Sequence, residues 1–283
     1  MIITLVLLSA LLHASWNALL RLEADKDRSL VIAIAFAALL ASIVAVFRWG
    51  LGQVPFPTTA SLGWTLLAGG LEWIYFWTLA QALERGRLGA VYTISRGGAI
   101  LVVYPVSIAL FTEQLTLTAG IGSAVVLGGL TLASVKTNDT RSSRGNPVAW
   151  AVACAVAIAG YHLAYKAALR EHGGPSAVFA LSLAAASVIN LIRVGSTGRT
   201  VVAGLLKTRL LRVLLMGALC GGSFLILMEA LAAGGAGYVL TLRNTSVLFA
   251  VGLAFFIGER PMRLEIFGAT LVAVGAILMA WPA

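Results

Sequence analysis

The sequence predicts an all-α integral membrane protein with ten transmembrane helices, arranged as two inverted five-helix repeats. Three observations predict it. Ten apolar stretches of helix length alternate with short polar joints, and a hydrocarbon slab of ~30 Å needs roughly 20 apolar residues per helical crossing. Of the 283 residues 60% are hydrophobic and 11% charged, with a mean hydropathy of +0.96, whereas soluble domains carry about 25% charge. The second half also repeats the first. A shift of 146 residues lays Tyr92 on Tyr238, Glu113 on Glu259, Gly122 on Gly268, Val126 on Val272, Gly129 on Gly275 and Leu132 on Leu278. Each repeat has an odd number of crossings, so the second enters the membrane from the opposite side, and a pseudo-two-fold axis lies in the membrane plane.

The first helix is expected over 2–20. Its opening has the short apolar core of a secretory leader, but no basic residues precede that core and the apolar run continues through Trp16 to Leu20, which favours a membrane crossing. The second spans 29–47 and is followed by the breakers Pro55 and Pro57; the third spans 61–83, the fourth 89–111 and the fifth 117–135. A polar stretch from Lys136 to Asn146 then divides the repeats, giving units 1–136 and 147–283. The sixth helix spans 147–166, and Gly173, Gly174 and Pro175 introduce the seventh over 175–191. The eighth spans 211–231, the ninth 236–257 and, after Pro261, the tenth 265–282.

Charge orients this frame. The formal net charge is +9, yet the basic residues sit in joints rather than in a continuous stripe, so nucleic acid is not the expected partner and the anionic lipid headgroup layer is. Fifteen Lys and Arg follow the odd-numbered helices: Arg21, Lys26, Arg28, Arg85, Arg87, Lys136, Arg141, Arg144, Arg193, Arg199, Lys207, Arg209, Arg212, Arg260 and Arg263. The other side holds Arg48, Lys166 and Arg170. The positive-inside bias puts the odd joints in the cytoplasm and both termini outside, in a multi-pass protein of the cell (inner) membrane.

The residues that are costly to bury are the site candidates. Arg96, in the fourth helix, and Arg243, in the ninth, each lie about 10 Å deep at ~1.5 Å per residue, where an arginine costs at least ~2.5 kcal/mol unless it faces a wet cavity or a partner. They would either clamp one anionic group or, being one position out of register under the repeat, point apart; the structural alternative is a salt bridge to Glu72 or Glu229. Gly97 and Gly98 after Arg96 permit helix distortion, and Asn244, Thr245 and Ser246 make a polar run after Arg243. Glu72, central in the third helix among Trp73, Tyr75, Phe76 and Trp77, would either pair statically with an arginine or hold a proton that it exchanges during transport. On the first helix His13, Trp16 and Asn17 share one face, and on the sixth Tyr161 and His162 stand at the corresponding place. Trp16, Asn17, Tyr161 and His162 are read as cavity walls, with interhelical hydrogen bonding as the alternative for His13 and Asn17 and snorkelling for Lys166. Together with Glu72, Arg96, Arg243 and Asn244 they form the expected substrate-binding set.

Other chemistry is not called for. Cys154 and Cys220 fall inside apolar runs without ligand spacing, so no metal is expected and both read as packing residues. No phosphate-binding Gly-Lys loop occurs, which argues against ATP drive, and no cofactor is implied. The seven-residue spacing of Gly122 with Gly129 and of Gly268 with Gly275 reads as close helix packing, inside one chain or at a dimer seam; a monomer suffices and a homodimer is open. Glu113 and Glu259, at helix ends, read as caps or hinges.

The five-plus-five layout, Gly89, Ala90 and Pro105 in the fourth helix, Glu113, the glycine-rich fifth helix and, more sharply, Phe256-Ile257-Gly258-Glu259-Arg260-Pro261 followed by Gly268 and Gly275 resemble the drug/metabolite transporter superfamily, in particular its ten-helix EamA-type branch. Two features depart from the family pattern. Thr112-Glu113-Gln114 stands where Gly-Glu-Arg is usual, and relatives are commonly drawn with cytosolic termini. The resemblance implies a secondary transporter, not an enzyme: a metabolite exporter working by alternating access, with proton coupling open; Arg96 and Arg243 with Glu72 point to a small polar solute, anionic or zwitterionic, and Glu72 is the residue to which proton coupling would be assigned. The other readings are a flippase for a lipid-linked head group, an intramembrane enzyme using Glu72 and His13, and a channel.

Overall fold

The structure is a computed structural model and describes residues 2–111, 117–134, 146–234 and 236–280. Glu113, Lys136, Arg141 and Arg144 therefore lie outside the described residues, as does the link between the expected repeats. Within them every regular element is an α-helix: α1 (Ile2–Arg21), α2 (Lys26–Gly50), α3 (Thr59–Arg85), α4 (Leu88–Phe111), α5 (Leu117–Ser134), α6 (Pro147–Arg170), α7 (Pro175–Ala233), α8 (Ala236–Arg243), α9 (Ser246–Phe256) and α10 (Arg263–Ala280).

Local chemistry sets the helix starts. The side chains of Asp25, Thr58 and Asn146 accept hydrogen bonds from the backbone N–H groups of Arg28, Ser61 and Val148, capping α2, α3 and α6. Pro147 and Pro175 occupy first-turn positions where their missing N–H is not needed.

The ten helices are not the ten expected. The expected seventh and eighth run as one helical trace, α7, with non-helical dihedrals only at Gly195 (φ 67°) and Arg209. The joint between them, expected as a loop, is itself helical, because its Val202 and Leu205 pack against the core. The expected ninth helix is divided into α8 and α9 at Asn244 and Thr245.

Six stretches are long and apolar enough to cross a membrane: Ile2–Arg21, Lys26–Gly50, Pro147–Arg170, Pro175–Gly195, Val202–Ala233 and Val239–Phe256, with shorter apolar runs at Leu88–Val103 and Gly120–Ala133. Large apolar side chains such as Ile43, Phe47, Leu67, Val156, Ile192 and Phe267 are exposed on the outside. That surface suits lipid and would not be tolerated in water at such extent.

Polar contacts collect at the two ends of the bundle. At the basic end Arg21 pairs with Glu259 (2.6 Å), Lys26 with Glu84 (3.2 Å), Arg87 with Glu265 (3.3 Å), Arg193 with Asp27 (2.6 Å) and Arg212 with Glu23 (3.3 Å). Glu259 also accepts from the Leu88 N–H at the start of α4. At the opposite end Glu229 pairs with Arg48, and Lys166 reaches the carbonyls of Leu231 and Gly234 where α7 ends.

The glycine stripes of α5 and α10 meet each other. A Cβ on Gly122 would lie 2.6 Å from the Gly275 carbonyl oxygen and one on Gly275 2.6 Å from that of Gly122; Gly129 and Gly268 are related in the same reciprocal way. No real Cβ fits there, so any larger residue forces the helices apart. These glycines thus serve contact within one chain.

Candidate functional site

Arg96 and Arg243 converge on one side chain, His13. Arg96 comes from α4 and places Nη2 against His13 Nε2, while Arg243, at the end of α8, places Nη2 2.9 Å from His13 Nδ1. All three are buried: His13 is 0%, Arg96 4% and Arg243 2% exposed. The Trp16 indole N–H also points at His13 Nδ1, at 3.3 Å. A neutral imidazole has one N–H and one lone-pair nitrogen, so it can accept from one of these arginines and not from both. Hydrogen-bond donors exceed acceptors at this point.

Aromatic rings hold the guanidinium groups. Arg96 lies over the rings of Tyr75 and Tyr92, 5.8 Å from each centroid, and its Nη2 is 3.4 Å from the Tyr75 hydroxyl. Arg243 lies 4.6 Å over Phe224 and approaches His162 Nε2 at 3.5 Å. Cation–π contact of this kind compensates part of the lost hydration, about 0.5–2 kcal/mol each. Among the described residues no carboxylate lies within 4 Å of either arginine. The expected salt bridges to Glu72 or Glu229 do not form.

A cavity opens beside the pair, between α4, α6 and α8. Among the described residues Arg96, His162, Thr241, Arg243 and Asn244 make its polar part and aliphatic side chains the rest. Its free volume is about 20 Å³, room for about one water molecule, so the helices are closed around the site. Four of the eight expected residues, Arg96, His162, Arg243 and Asn244, line it. Trp16, Asn17, Glu72 and Tyr161 stand behind it. Trp16 backs His13; Asn17 donates to the carbonyl of His13 in its own helix (2.8 Å); Tyr161 stacks near His162 (ring centroids 4.2 Å) and Tyr75 (5.3 Å).

The break beside Arg243 is a tight turn rather than an unwound segment. The N–H groups of Asn244, Thr245, Val247 and Leu248 bond three residues back, to Thr241, Leu242, Asn244 and Thr245, at 2.9–3.2 Å. Short 3₁₀ stretches of this kind inside a helix are frequent at functional hinges and at strained sequences. Arg243 Nε and Ser246 Oγ, on either side of it, are buried without a hydrogen-bond partner. By contrast α4 continues unbroken through Gly97 and Gly98. There the missing side chains admit neighbours: a Cβ on Gly97 would strike Leu130 and Val272 at 2.8 and 2.9 Å, and one on Gly98 would sit 3.0 Å from Ala155. The glycines after Arg96 pack helices and do not bend one.

Glu72 belongs to a separate polar cluster. Its Oε1 is bonded to the Tyr165 hydroxyl, which is 3.0 Å from Ser182 Oγ; Ser182 in turn reaches the Phe179 carbonyl at 3.0 Å. Glu72 Oε2 is buried and unpartnered. Tyr165 and Ser182 are not among the expected site residues, and His13 is signalled in the sequence only by its place on the face of Trp16 and by its reading as an acid/base partner of Glu72. Cys154 and Cys220 are free and buried, and no group of three or more metal-ligating side chains occurs among the described residues.

Comparison with known proteins adds two findings. Residues 146–281 match the model of a family described as the EamA-like transporter family. A protein of known crystal structure superposes with a TM-score of 0.67 over 98% of this chain and 95% of its own, at 14% sequence identity. At that identity the likeness concerns the fold alone. No curated protein matches the sequence.

Proposed function

We propose that this chain, whose residues 146–281 match the EamA-like transporter family, is a membrane transporter of small solutes, and specifically a secondary carrier that moves a small polar metabolite, anionic or zwitterionic, by alternating access. The observation that carries this reading is the convergence of two buried guanidinium groups on one neutral imidazole, beside a cavity and away from any described carboxylate. A buried uncompensated charge is costly, and an anionic group entering the cavity supplies what both arginines lack. The 3₁₀ turn next to Arg243 provides a place for the surrounding helices to move, as in carriers whose broken helices flank a midplane site.

The larger frame of the proposal is ten crossings of the cell (inner) membrane, with units 1–136 and 147–283 as inverted repeats, export as the direction and Glu72 as the proton-coupling group. The glycine seam supports the repeat: shifting the Gly122–Gly275 contact by the repeat interval turns it into the Gly268–Gly129 contact. So does the alternation of helix ends, since the ion pairs that follow odd-numbered crossings gather at one end of the bundle. A reporter fused after Ala283 is expected to read the extracytoplasmic side; a cytoplasmic signal reverses the orientation and leaves the repeat untouched.

Transport itself is tested with purified protein in liposomes preloaded with members of an organic-acid and amino-acid panel. Saturable counterflow of at least one anionic or zwitterionic solute, with its half-saturation concentration raised at least tenfold in Arg243→Ala, is the expected result. Folded protein that exchanges no member of the panel, or flux that does not saturate, sinks the carrier reading.

A further inference from the structure

We infer that the transported solute is an organic anion with one oxyanionic head group and an apolar body, and without an ammonium group. This rests on the reading of the Arg96–Arg243 pair as the solute site and narrows it. At the polar end, three N–H donors, from Arg96, Arg243 and Trp16, face one imidazole that offers a single lone pair, and the other acceptors in reach, the Tyr75 hydroxyl for Arg96 (3.4 Å) and His162 Nε2 for Arg243 (3.5 Å), lie at the long limit of a hydrogen bond. Arg243 Nε adds a further buried donor without a partner. A carboxylate or phosphonate, which only accepts hydrogen bonds, fits this surplus; a group bringing its own N–H donors worsens it.

Among the described residues the rest of the wall is aliphatic: Ala99, Ile100 and Val103 of α4, Ile158 of α6 and Leu240 of α8. No described acid is positioned for an amine. Glu23, Asp25, Asp27, Glu84, Glu259 and Glu265 lie at the basic end and Glu171 and Glu229 at the other. Glu72, the one described acid in mid-helix, is tied to Tyr165 and is not part of the cavity wall. An α-amino acid would therefore bring its ammonium beside two guanidinium groups with no carboxylate to meet it. Like-charge juxtaposition of that kind opposes binding. The cavity must widen to admit any such solute, and the 243–245 turn beside Arg243 is the break in the helices around it.

The probes are benzoate, phenylphosphonate, phenylalanine and benzylamine, titrated calorimetrically into the detergent-purified full chain and into its Arg243→Ala variant. Benzoate or phenylphosphonate is expected to bind saturably, phenylalanine at least tenfold more weakly and benzylamine not at all. Arg243→Ala is expected to weaken the oxyanion binding at least tenfold. Phenylalanine binding as tightly as the better oxyanion, and lost in Arg243→Ala, overturns this inference and keeps the site. Oxyanion binding unchanged in Arg243→Ala, or no probe bound by folded wild-type protein, overturns the site reading together with the inference.

Discussion

Arg96→Ala and Arg243→Ala are each expected to weaken solute binding by roughly 10- to 150-fold, the equivalent of one charge-assisted hydrogen-bonded group at ~1.5–3 kcal/mol, while leaving the folded protein as stable as wild type or more so. The second half of that expectation separates function from structure. In a buried salt bridge, deleting one partner strands the other, and stability falls by ~3–5 kcal/mol. Here the arginines share a neutral histidine that can satisfy only one of them, and they repel each other by on the order of 2 kcal/mol at the effective dielectric of buried protein sites. Removing either relieves that repulsion. Arg→Lys is expected to restore little binding, because an ammonium lacks the planar fork and the ring-stacking contacts seen with Tyr75, Tyr92 and Phe224. Thermal unfolding in detergent, run beside the binding titration, reads both halves. A large drop in unfolding temperature with binding preserved in the remaining folded protein assigns the pair to packing.

What the sequence disclosed follows from what lipid enforces. Apolar length and buried charge are strict constraints in a membrane, so nine of the expected crossings coincide with helical segments and Arg96 and Arg243 stand out by cost alone. Helix ends and breaks are governed by local turn geometry, which hydropathy does not encode; hence the expected loop after the seventh helix is helical and the expected ninth helix is divided at Asn244 and Thr245. The partner of Arg96 and Arg243 was illegible for a different reason. A carboxylate is the obvious companion for a buried arginine, but here Glu229 is held by Arg48 at one end of the bundle and Glu72 by Tyr165. His13 takes their place although, on α1, it is distant in sequence from both arginines and forms no motif with either. The glycine pairs show the reverse case. Their spacing announced close packing, and only the coordinates could say that the two stripes meet each other.

Glu72→Gln is expected to retain solute exchange at near wild-type rate and to lose all acceleration by a transmembrane pH gradient. The argument starts from proton counting. No described cation lies within 4 Å of Glu72 and its Oε2 is buried without a partner, so an ionised carboxylate would be uncompensated, at a cost that neutralisation avoids. With the proton on Glu72, every hydrogen in the cluster finds an acceptor in one direction: Glu72 donates to the Tyr165 oxygen, Tyr165 to Ser182 Oγ, and Ser182 to the Phe179 carbonyl. When the proton leaves, the chain reverses, Ser182 donates to Tyr165 and Tyr165 to the carboxylate. Two self-consistent arrangements of one network are what a group must have to load and release a proton as access alternates. Glutamine imitates the neutral acid in shape and can still donate to Tyr165, which preserves packing and exchange, but it has no proton to exchange. In liposomes, exchange at equal pH and net flux under an imposed gradient are measured on the same preparation. Full pH-driven acceleration in well-folded Glu72→Gln eliminates Glu72 as the coupling group, and loss of folded protein instead assigns its cluster to holding α3, α6 and α7 together.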